Sequence, residues 1–373
     1  MNVPKLRFKE FNDNWNLTNI RNISSLVTKG TTPKKYEDNG INFVKVENIH
    51  DNLISNISSY ISDDTHNKEL KRSILKENDI LFSIAGALGR TAIVKKSILP
   101  ANTNQANAII RIENLGNIDL YYLLNRLNHT DITNYINKCQ SVGAQPNLSL
   151  EQVNNINISL PSINEQNKIG NMLFLLDKKI KLQSKKIEDL KLFKLGKMKM
   201  IFKTAEHNFI LKNICIIEKG RQINNKLLLN SGMYYMLNGG ILPSGFLNEY
   251  NTEKNTITIS EGGNSCGFVN FNKKNFWCGG HCYKLLNEKI DKFYLYQLLK
   301  YNENKIMNLR VGSGLPNIQK KDLESLKLKI HNEEKQKVIA NYLTYFDKKN
   351  ELEIDKLNNL LELKKGLMQN MFI

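Results

Sequence analysis

The residues whose types and spacing come closest to a chemical site are Cys278, His281 and Cys282 in the stretch CGGHC. Thiolate and imidazole groups bind zinc, and a structural zinc site takes four such ligands. No second C-x-x-C or H-x-x-x-H pair accompanies them, and Cys266 would join them only by folding back. The pattern therefore favours a Gly-Gly turn with a buried cysteine on either side, and we predict no metal site.

Signatures of catalysis are missing from the rest of the sequence. There is no G-x-x-x-x-G-K-[ST] loop and no H-E-x-x-H, and the isolated prolines exclude the Pro-Pro core of the amino-methyltransferase motif. The stretch SIAGALGR at 83–90 lacks the G-x-G-x-x-G spacing of dinucleotide sites. It predicts a tight turn after a strand at 80–84, whose backbone can approach a ligand such as a phosphate. We predict no catalytic residues, so the chain by itself is not an enzyme.

Charge is the strongest feature of the composition. The 373 residues carry a net charge of +17, and this basic balance favours a polyanionic partner, most often nucleic acid. An anionic membrane surface is the weaker alternative, because no long basic amphipathic helix flanked by Trp or Phe is evident. The start MNVPKLRFKEF has no apolar core of a secretion signal, and the five scattered cysteines fit reduced thiols. We predict a cytoplasmic protein of two or three domains without a membrane span.

Basic and amide residues are the candidates for DNA contact, because Arg and Lys neutralise phosphates while Asn and Gln bond adenine edges. Taken singly, each is more often a solvated surface residue, so the prediction rests on the set. The candidates in the first half are Lys29, Lys34, Lys35, Lys45, Asn48, Arg90, Asn104, Gln105 and Gln145. Those in the second half are Lys219, Arg221, Gln222, Asn238, Asn264, Lys273, Lys274 and Arg310.

The chain contains an internal duplication, the sign of a repeated architecture. Residues 146–202 align with 316–372 at a constant shift of 170 without a gap, and 16 of the 57 positions are identical. The segments that precede the two copies have little in common. Their one shared feature is an apolar run that ends in Lys-Gly, in LVTKGTTP in the first and in IIEKGRQI in the second. The order is therefore variable domain, repeated frame, variable domain, repeated frame.

Each repeated frame predicts a strand followed by a long helix. Apolar residues alternate with polar ones at 156–160 and at 326–330, which is typical of a half-buried strand. The helix would run for 38 residues, from Gln166 to Lys203, and span about 57 Å. An apolar stripe at steps of four and three indicates that the two helices pair with each other, although each could instead pack only on its own domain. Predicted pairing residues are Gln166, Ile169, Leu173, Leu176, Ile180, Ile187, Leu190, Gln336, Ile339, Leu343, Phe346, Leu357 and Leu360.

Over essentially its full length the chain resembles the DNA specificity subunit of type I restriction-modification systems. The resemblance rests on PKLRFKEFNDNWNLTNI, on NDILFSIAGALGRTAIV, on GAQPNLSLEQVNNINISLPSINEQNKI, and on the endings KMKMIF and GLMQNMF. Its most specific pattern is Pro-Ser-x-x-Glu-Gln-x-x-Ile, which begins at Pro161. In the second copy His331 replaces this proline and Lys335 replaces Glu165, which departs from the pattern locally.

The resemblance implies an α+β fold with two mixed α/β target-recognition domains, each followed by a long helix. The helices would pack as an antiparallel coiled-coil-like spacer with pseudo-twofold symmetry. The implied boundaries are 1–160 and 204–330 for the recognition domains, and 161–203 and 331–373 for the helical regions.

The resemblance also implies a function in recognising a bipartite DNA target for adenine methylation and restriction. Implied partners are double-stranded DNA, two modification subunits and two restriction subunits. S-adenosylmethionine, ATP and Mg²⁺ would be used on those partners, with no cofactor on this chain.

Two alternatives remain open from the residues. A tandem DNA-binding regulatory protein without enzymatic partners would also be basic and bipartite. A coiled-coil scaffold indifferent to DNA is disfavoured by the charge of +17 and the unlike paired domains.

Overall fold

A computed structural model describes residues 3–139, 147–312, 314 and 316–373. The chain forms two compact units. Unit 1 comprises residues 1–183 and 356–373, and unit 2 comprises residues 184–355. This division passes through both long helices, so the domain boundaries drawn from the sequence stay a prediction. Among the described residues, no helix combines the length and apolarity needed to cross a membrane.

In its described residues, the first half of the chain alternates short strands with five α-helices. The strands are β1 (Asn16–Asn19), β2 (Ser24–Lys29), β3 (Ile41–Val44), β4 (Ile49–His50), β5 (Leu53–Ile54), β6 (Tyr60–Ile61), β7 (Ile80–Ser83), β8 (Thr91–Ile93), β9 (Ala101–Thr103), β10 (Asn107–Ile112) and β11 (Asn157–Leu160). The helices are α1 (Ile20–Ile23), α2 (Leu120–Leu127), α3 (Thr130–Cys139), α4 (Leu150–Asn154) and α5 (Ile163–Lys203).

The second half repeats this alternation with nine described strands. They are β12 (His207–Ile210), β13 (Ile216–Lys219), β14 (Tyr234–Leu237), β15 (Gly245–Leu247), β16 (Thr256–Ser260), β17 (Val269–Asn272), β18 (Trp277–Cys278), β19 (Cys282–Leu286) and β20 (Lys327–Ile330). The helices are α6 (Leu211–Ile214), α7 (Lys292–Tyr301), α8 (Glu303–Met307), α9 (Lys320–Glu324) and α10 (Glu333–Met371).

The two halves share one topology, although most of their sequence has diverged. The central sheet has the order β2-β10-β7-β8 in the first half and the order β13-β19-β16-β17 in the second. Beside each central sheet lies a parallel pair, β3 with β9 and β14 with β18. A two-stranded antiparallel pair, β1 with β11 and β12 with β20, precedes each long helix. The duplication therefore covers the whole of each half, and the predicted α+β fold with two mixed domains is confirmed.

Strand β20 shows the predicted alternation. Leu328 and Ile330 are buried, whereas Lys327 and Lys329 are exposed. In β11 the prediction is wrong at Ser159, which is buried. The reason is that the hydroxyl of Tyr122, on α2, donates to the carbonyl oxygen of Ser159 at 2.6 Å, so the helix covers this part of the strand.

In each half, one capped helix places a buried tyrosine where one long helix begins and the other ends. Asp119 caps α2 by accepting from the backbone N–H of Tyr122 at 2.6 Å. Asp291 caps α7 by accepting from the backbone N–H of Tyr294 at 2.8 Å. An acidic N-cap satisfies a helical N–H that would otherwise lack a partner, and it complements the helix dipole. Both tyrosines are fully buried, so the same cap and ring occur twice.

The long helices run antiparallel in both units. In unit 1 the start of α5 packs its Ile169 and Leu173 against Met371 and Phe372 at the end of α10. In unit 2 Lys186 of α5 pairs with Glu353 of α10 at 3.0 Å, and Lys194 pairs with Asp347 at 2.5 Å. All predicted stripe positions on both helices are buried or half-buried.

The same ion pair stands in each unit. Lys194 with Asp347 in unit 2 corresponds, under the shift of 170, to Lys364 with Asp177 in unit 1, where the distance is 2.6 Å. Partly exposed pairs contribute at most about 1 kcal/mol, so their main effect is on the register of the helices. The repeated frame thus gives both units the same internal alignment of α5 with α10.

His331 occupies a buried site at the base of α10 in unit 2. Its Nδ1 lies 2.8 Å from the Tyr294 hydroxyl, which also accepts from the His331 backbone N–H at 3.0 Å. Its Nε2 lies 3.2 Å from Thr204 Oγ1, and that hydroxyl donates to the Ile201 carbonyl oxygen. These contacts suit the neutral ring with the proton on Nε2. Burial, assisted by the nearby charge of Lys335, lowers the pKa of His331.

We expect His331→Gln to flatten the pH dependence of unit 2 stability on the acid side. The folded chain binds fewer protons at His331 than the unfolded chain does, because its pKa is lowered from 6.5. Stability should therefore be fully present above the unfolded pKa and fall as the pH drops from there towards the folded pKa. Thermal unfolding at about pH 8 and about pH 5 measures this fall. The exposed His207, changed to Gln, should leave it unchanged; an equal fall in the His331 variant would contradict the assignment.

Candidate nucleic-acid interface

A Lys-Gly pair ends the first strand of each central sheet and brings the chain against a neighbouring loop. A Cβ atom on Gly30 would lie 2.1 Å from the carbonyl oxygen of Asn104. A Cβ atom on Gly220 would lie 2.3 Å from the carbonyl oxygen of Gly279. Only glycine allows two backbones to approach so closely. The Lys-Gly shared by the two halves therefore marks the same close contact in both units.

In unit 1 this contact gathers a set of loops that we name loop cluster 1, comprising residues 29–35, 84–90 and 103–107. The Thr31 N–H donates to the Thr103 carbonyl oxygen at 3.1 Å, and the Ile84 N–H donates to the Ala106 carbonyl oxygen at 2.8 Å. The hydroxyl of Thr32 also donates to the side-chain oxygen of Gln105. Predicted DNA-contact residues on this cluster are Lys29, Lys34, Lys35, Arg90, Asn104 and Gln105.

In unit 2 the equivalent set is loop cluster 2, comprising residues 219–223, 238–243, 261–264 and 279–281. The Arg221 N–H donates to the Cys278 carbonyl oxygen at 2.9 Å. The Glu261 N–H donates to the His281 carbonyl oxygen at 2.9 Å. Predicted DNA-contact residues on this cluster are Lys219, Arg221, Gln222, Asn238 and Asn264. Both clusters bring basic and amide side chains from separate parts of the sequence to one edge of a sheet.

Asn48, Arg90 and Asn238 bond backbone groups of their own unit. Asn48 is buried, and its side chain accepts from the Lys45 N–H at 2.8 Å and donates to the Asn56 carbonyl oxygen at 2.8 Å. Arg90 donates to two backbone carbonyl oxygens at 3.3 Å, and Asn238 accepts from the His281 N–H at 3.0 Å. These bonds occupy polar atoms that a base contact would use. We therefore assign the three side chains to the support of the loops, and their contact with DNA stays a prediction.

Other predicted residues lie outside the loop clusters. Lys273 donates to Glu351 of α10 at 2.5 Å, and both it and Lys274 follow β17 at the end of the β16–β17 hairpin opposite loop cluster 2. Lys45 lies over the ring of Tyr36, with its Nζ 4.6 Å from the centroid. Arg310 is exposed just before Val311, which pairs with Asn317. Gln145 lies outside the described residues.

Lys219 of loop cluster 2 has a carboxylate partner. Its Nζ donates to Glu261 at 2.6 Å, and the Tyr283 hydroxyl donates to the same carboxylate at 3.1 Å. Glu261 also lies 3.5 Å from Nδ1 of the exposed His281. Loop cluster 2 therefore combines a neutralised lysine with the exposed side chains of Arg221 and His281.

The CGGHC stretch forms the turn between β18 and β19. Cys278 and Cys282 are buried, and the Gly279 N–H donates to the Leu237 carbonyl oxygen at 2.8 Å, so the predicted turn with flanking buried cysteines is confirmed. A hydrogen bond with Cys278, together with burial, raises the pKa of the Cys282 thiol, which keeps it in the form that binds metals poorly. Across the described residues, no group of three His, Cys, Asp or Glu side chains could hold a metal ion.

The SIAGALGR stretch forms the predicted tight turn, between β7 and β8. The Gly89 N–H donates to the Ser83 carbonyl oxygen at 2.9 Å, and both Gly86 and Gly89 have positive φ angles, of 72° and 78°. A cavity of about 310 Å³ lies between this turn and the helices α2 and α3. The approach of the turn to a phosphate stays a prediction.

Several residues in or beside the loop clusters are not among the candidates that the sequence predicts. Arg72 donates to the Thr31 hydroxyl at 3.2 Å across 41 positions, and no local pattern announces such a contact. His281 belongs to a stretch that suggested a metal, although its side chain is exposed at a loop tip. Ile241 and Leu242 follow two glycines, and this Gly-Gly-Ile-Leu-Pro sequence is typical of an exposed turn.

The family described as "Type I restriction modification DNA specificity domain" matches this chain twice, over residues 12–192 and 206–363. Each match contains one loop cluster and most of one long helix. The chain belongs to this family. The double match agrees with the two central sheets of equal order, and it makes the chain a tandem of two specificity domains.

Individual relatives carry the same description. The chain is 38% identical over 155 residues to a protein described as a type I specificity subunit of Mycoplasma pneumoniae, a match covering 40% of each chain. A second such relative, from Mycoplasma genitalium, is 35% identical over 155 residues, or 39% of its length. The chain thus spans about two fifths of the length of these two relatives. A relative described as the MjaX specificity subunit of Methanocaldococcus jannaschii is 27% identical over 408 residues, covering 98% of this chain and 95% of the relative.

Solved structures show the same fold. The crystal structure of the type I restriction-modification system S subunit from M. genitalium superposes with a TM-score of 0.70 at 20% identity, over 100% of this chain and 99% of that one. A chain from a structural study of complex assembly and conformational transition in the type I system superposes with a TM-score of 0.58 at 16% identity, over 96% and 97% of the chains. At these identities the likeness establishes the architecture alone.

Proposed function

We propose that this chain is the DNA-binding specificity subunit of a type I restriction-modification complex, recognising a bipartite target for adenine methylation and restriction by partner subunits. The observation that carries the proposal is that two units of one topology present loop clusters of different side chains on a repeated frame. A single contiguous target would need one such cluster. Two unlike clusters on one asymmetric chain fit two different half-sites.

The mechanism follows from the residues of the clusters. Exposed lysines and arginines bond phosphates and fix the position of each unit on the duplex, while amides and other polar groups bond base edges. The net charge of +17 makes phosphate contact a large part of the affinity, so binding should weaken steeply with salt. The chain itself contributes recognition and positioning, and the chemistry belongs to its partners.

A repeated apolar surface is evidence that two copies of one partner bind this chain. Both long helices expose large apolar side chains at positions that correspond under the shift of 170, each 50% to 61% exposed. Exposed apolar surface repeated on one chain fits docking of two identical subunits. The set is Leu175, Leu182 and Leu363 in unit 1, with Tyr345, Leu352 and Phe193 at the corresponding positions in unit 2. We assign these partners as two modification subunits, which would bind S-adenosylmethionine, with two restriction subunits supplying the use of ATP and Mg²⁺.

Mapping methylated adenines in DNA from a host that expresses this chain with its methyltransferase partner tests the proposal. We expect methylation within a target of two short half-sites separated by a non-specific spacer. The alternative of a tandem DNA-binding regulator predicts sequence-specific binding without capture of a methyltransferase subunit. A bipartite footprint without any such capture would favour that alternative, and no sequence-specific binding at all would contradict both.

Shortening the long helices should change the spacer while keeping the half-sites. We expect this from deleting residues 183–189 of α5 together with 353–359 of α10, which correspond under the shift of 170. The deletion retains both Asp-Lys pairs and removes two turns, about 10 Å or roughly three base pairs of duplex. Methylation mapping would show the new spacer. Altered half-site sequences, or an unchanged spacer, would contradict the role of the helices in spacing.

A further inference from the structure

An exposed apolar tip projects from loop cluster 2. It lies between β14 and β15, in the stretch GGILPSG at 239–245, where Ile241 is 55% exposed and Leu242 is 76% exposed. Single exposed apolar residues are ordinary on protein surfaces. Two adjacent ones at the tip of a turn, with Pro243 exposed behind them, form a compact apolar protrusion.

The base of this tip is held by hydrogen bonds. The Ser244 N–H donates to the Met236 carbonyl oxygen at 2.8 Å, which closes the β14–β15 hairpin. The Ser260 hydroxyl donates to the Gly239 carbonyl oxygen at 2.5 Å. Asn238, just before the tip, accepts from the N–H of His281 at 3.0 Å. The tip is thus tied to the end of β16 and to the loop at 279–281, while its two apolar side chains are exposed.

Hydrogen-bond donors lie on the neighbouring loops of loop cluster 2. A Cβ atom on Gly239 would lie 3.2 Å from Cβ of His281, and one on Gly280 would lie 2.8 Å from the side-chain oxygen of Gln222. Arg221, next to Gln222, is exposed and is held by its backbone against Cys278. An apolar point on a loop cluster that also carries a guanidinium, an amide and an imidazole matches the surface of DNA, which offers stacked bases flanked by phosphates. A protein-docking surface would extend the apolar area instead.

Unit 1 has no such tip among its described residues. The corresponding connection runs from β3 to β6, and its apolar residues Ile54 and Ile57 pack against the buried cluster around Val44 and Leu81. The protrusion is therefore specific to unit 2, and it distinguishes the two halves of a chain whose topology is otherwise shared.

We propose that Ile241 and Leu242 act as an apolar wedge that inserts at one base step of the half-site bound by unit 2 and partially unstacks it. Arg221, Gln222 and His281 bond the flanking phosphates and base edges. This inference rests on the proposed function and extends it, because it assigns one half-site a deformable step at a fixed place. Apolar side chains inserted between base pairs are a recognised means of bending DNA and of sensing its deformability.

The test uses the full chain assembled with its methyltransferase partner, and target DNA carrying 2-aminopurine at successive positions of both half-sites. We expect the wild type to raise the fluorescence at one step of the half-site bound by unit 2 and at none in the other. The double variant Ile241→Ser, Leu242→Ser should lose this rise and bind the target roughly tenfold to hundredfold more weakly. Ile241→Val with Leu242→Met should keep both properties.

Met233→Ser is the matched control, because Met233 is 75% exposed in the same unit but lies outside loop cluster 2. It should leave the fluorescence and the affinity unchanged. Wild-type binding to a bipartite target without any fluorescence rise, or a serine double variant with full affinity, would overturn the wedge and leave the proposed function standing. A double variant that loses its partner subunit on size exclusion, with DNA affinity intact, would also overturn it. Failure of the wild type to bind any specific target would instead overturn the proposed function.

Discussion

Changing Gly220 to alanine is expected to abolish recognition of one DNA half-site while the other half-site is still bound. The added Cβ would lie 2.3 Å from the Gly279 carbonyl oxygen and 2.5 Å from that of Cys278, and both are backbone atoms that cannot rotate away. Loop cluster 2 must therefore shift as a whole. A base contact contributes about 1–3 kcal/mol of discrimination, so misplacing two or more should lower target affinity by about 100-fold or more.

Footprinting on the bipartite target measures the effect for each half-site separately. Gly30→Ala is the corresponding substitution in unit 1, because its Cβ would lie 2.1 Å from the Asn104 carbonyl oxygen. It should remove protection of the other half-site. Gly196→Ala is the control, since a Cβ there meets nothing within 4 Å in α5. That change should stabilise the helix by up to about 1 kcal/mol and leave both footprints intact. Full protection of both half-sites by the Gly220 variant would contradict the role of loop cluster 2.

Truncation of Phe202 to alanine should destabilise unit 2 by about 3–5 kcal/mol, the usual cost of removing a buried aromatic ring. Phe202 is 4% exposed at the end of α5. Its ring lies 5.1 Å from that of Tyr301 and 5.7 Å from that of Tyr294, measured between centroids. Burial raises the pKa of Tyr294 to about 12, so its hydroxyl stays protonated and bonded to His331 beside this ring.

Urea unfolding measures this loss. Leu192→Ala on the same helix is the control, because Leu192 is exposed and its removal creates no cavity; its effect should stay within about 0.5 kcal/mol. Phe372, which corresponds to Phe202 under the shift of 170, packs on Tyr122 in unit 1 with the ring centroids 5.3 Å apart. Phe372→Ala should therefore produce a loss of similar size in unit 1. A loss below about 1 kcal/mol in either variant would show that the helix ends do not anchor the units.

The differences between the repeated frames follow from their separate surroundings. In unit 1 Glu165 is buried and receives two hydrogen bonds at 2.8 Å from the guanidinium of Arg7, in the N-terminal segment. The position that corresponds in unit 2 is the exposed Lys335, and the chain enters β12 directly from α5 there. Breaking a buried ion pair leaves one charge without its partner, so the glutamate is expected only where the arginine is present. The departure from the repeated pattern at Lys335 thus has a structural cause.

In the variable domains, residue type alone does not predict which candidate side chains are available to contact DNA. Lys29 and Lys219 are equivalent in the sequence because each ends an apolar run and precedes a glycine, and the structure explains that glycine by close backbone contact. Asn48 and Arg90 were grouped with the DNA-contact candidates by residue type, yet their polar atoms bond the backbone of their own unit. Residue type cannot distinguish these cases, because the partners of Arg90 lie 44 and 41 positions away and those of Asn48 meet it only in the folded loop.

The sequence by itself determined the repeated frame, the long helices with their apolar stripes, the strand before each helix and the family resemblance. These features are local or periodic, and a constant shift of 170 makes them visible without any structure. Only the tertiary structure decided that the divergent halves share one sheet order, which loops converge, and that Ile241 and Leu242 project from loop cluster 2. Those outcomes depend on contacts such as that of Gly30 with Asn104, made between residues distant in the chain, where sequence periodicity carries no information.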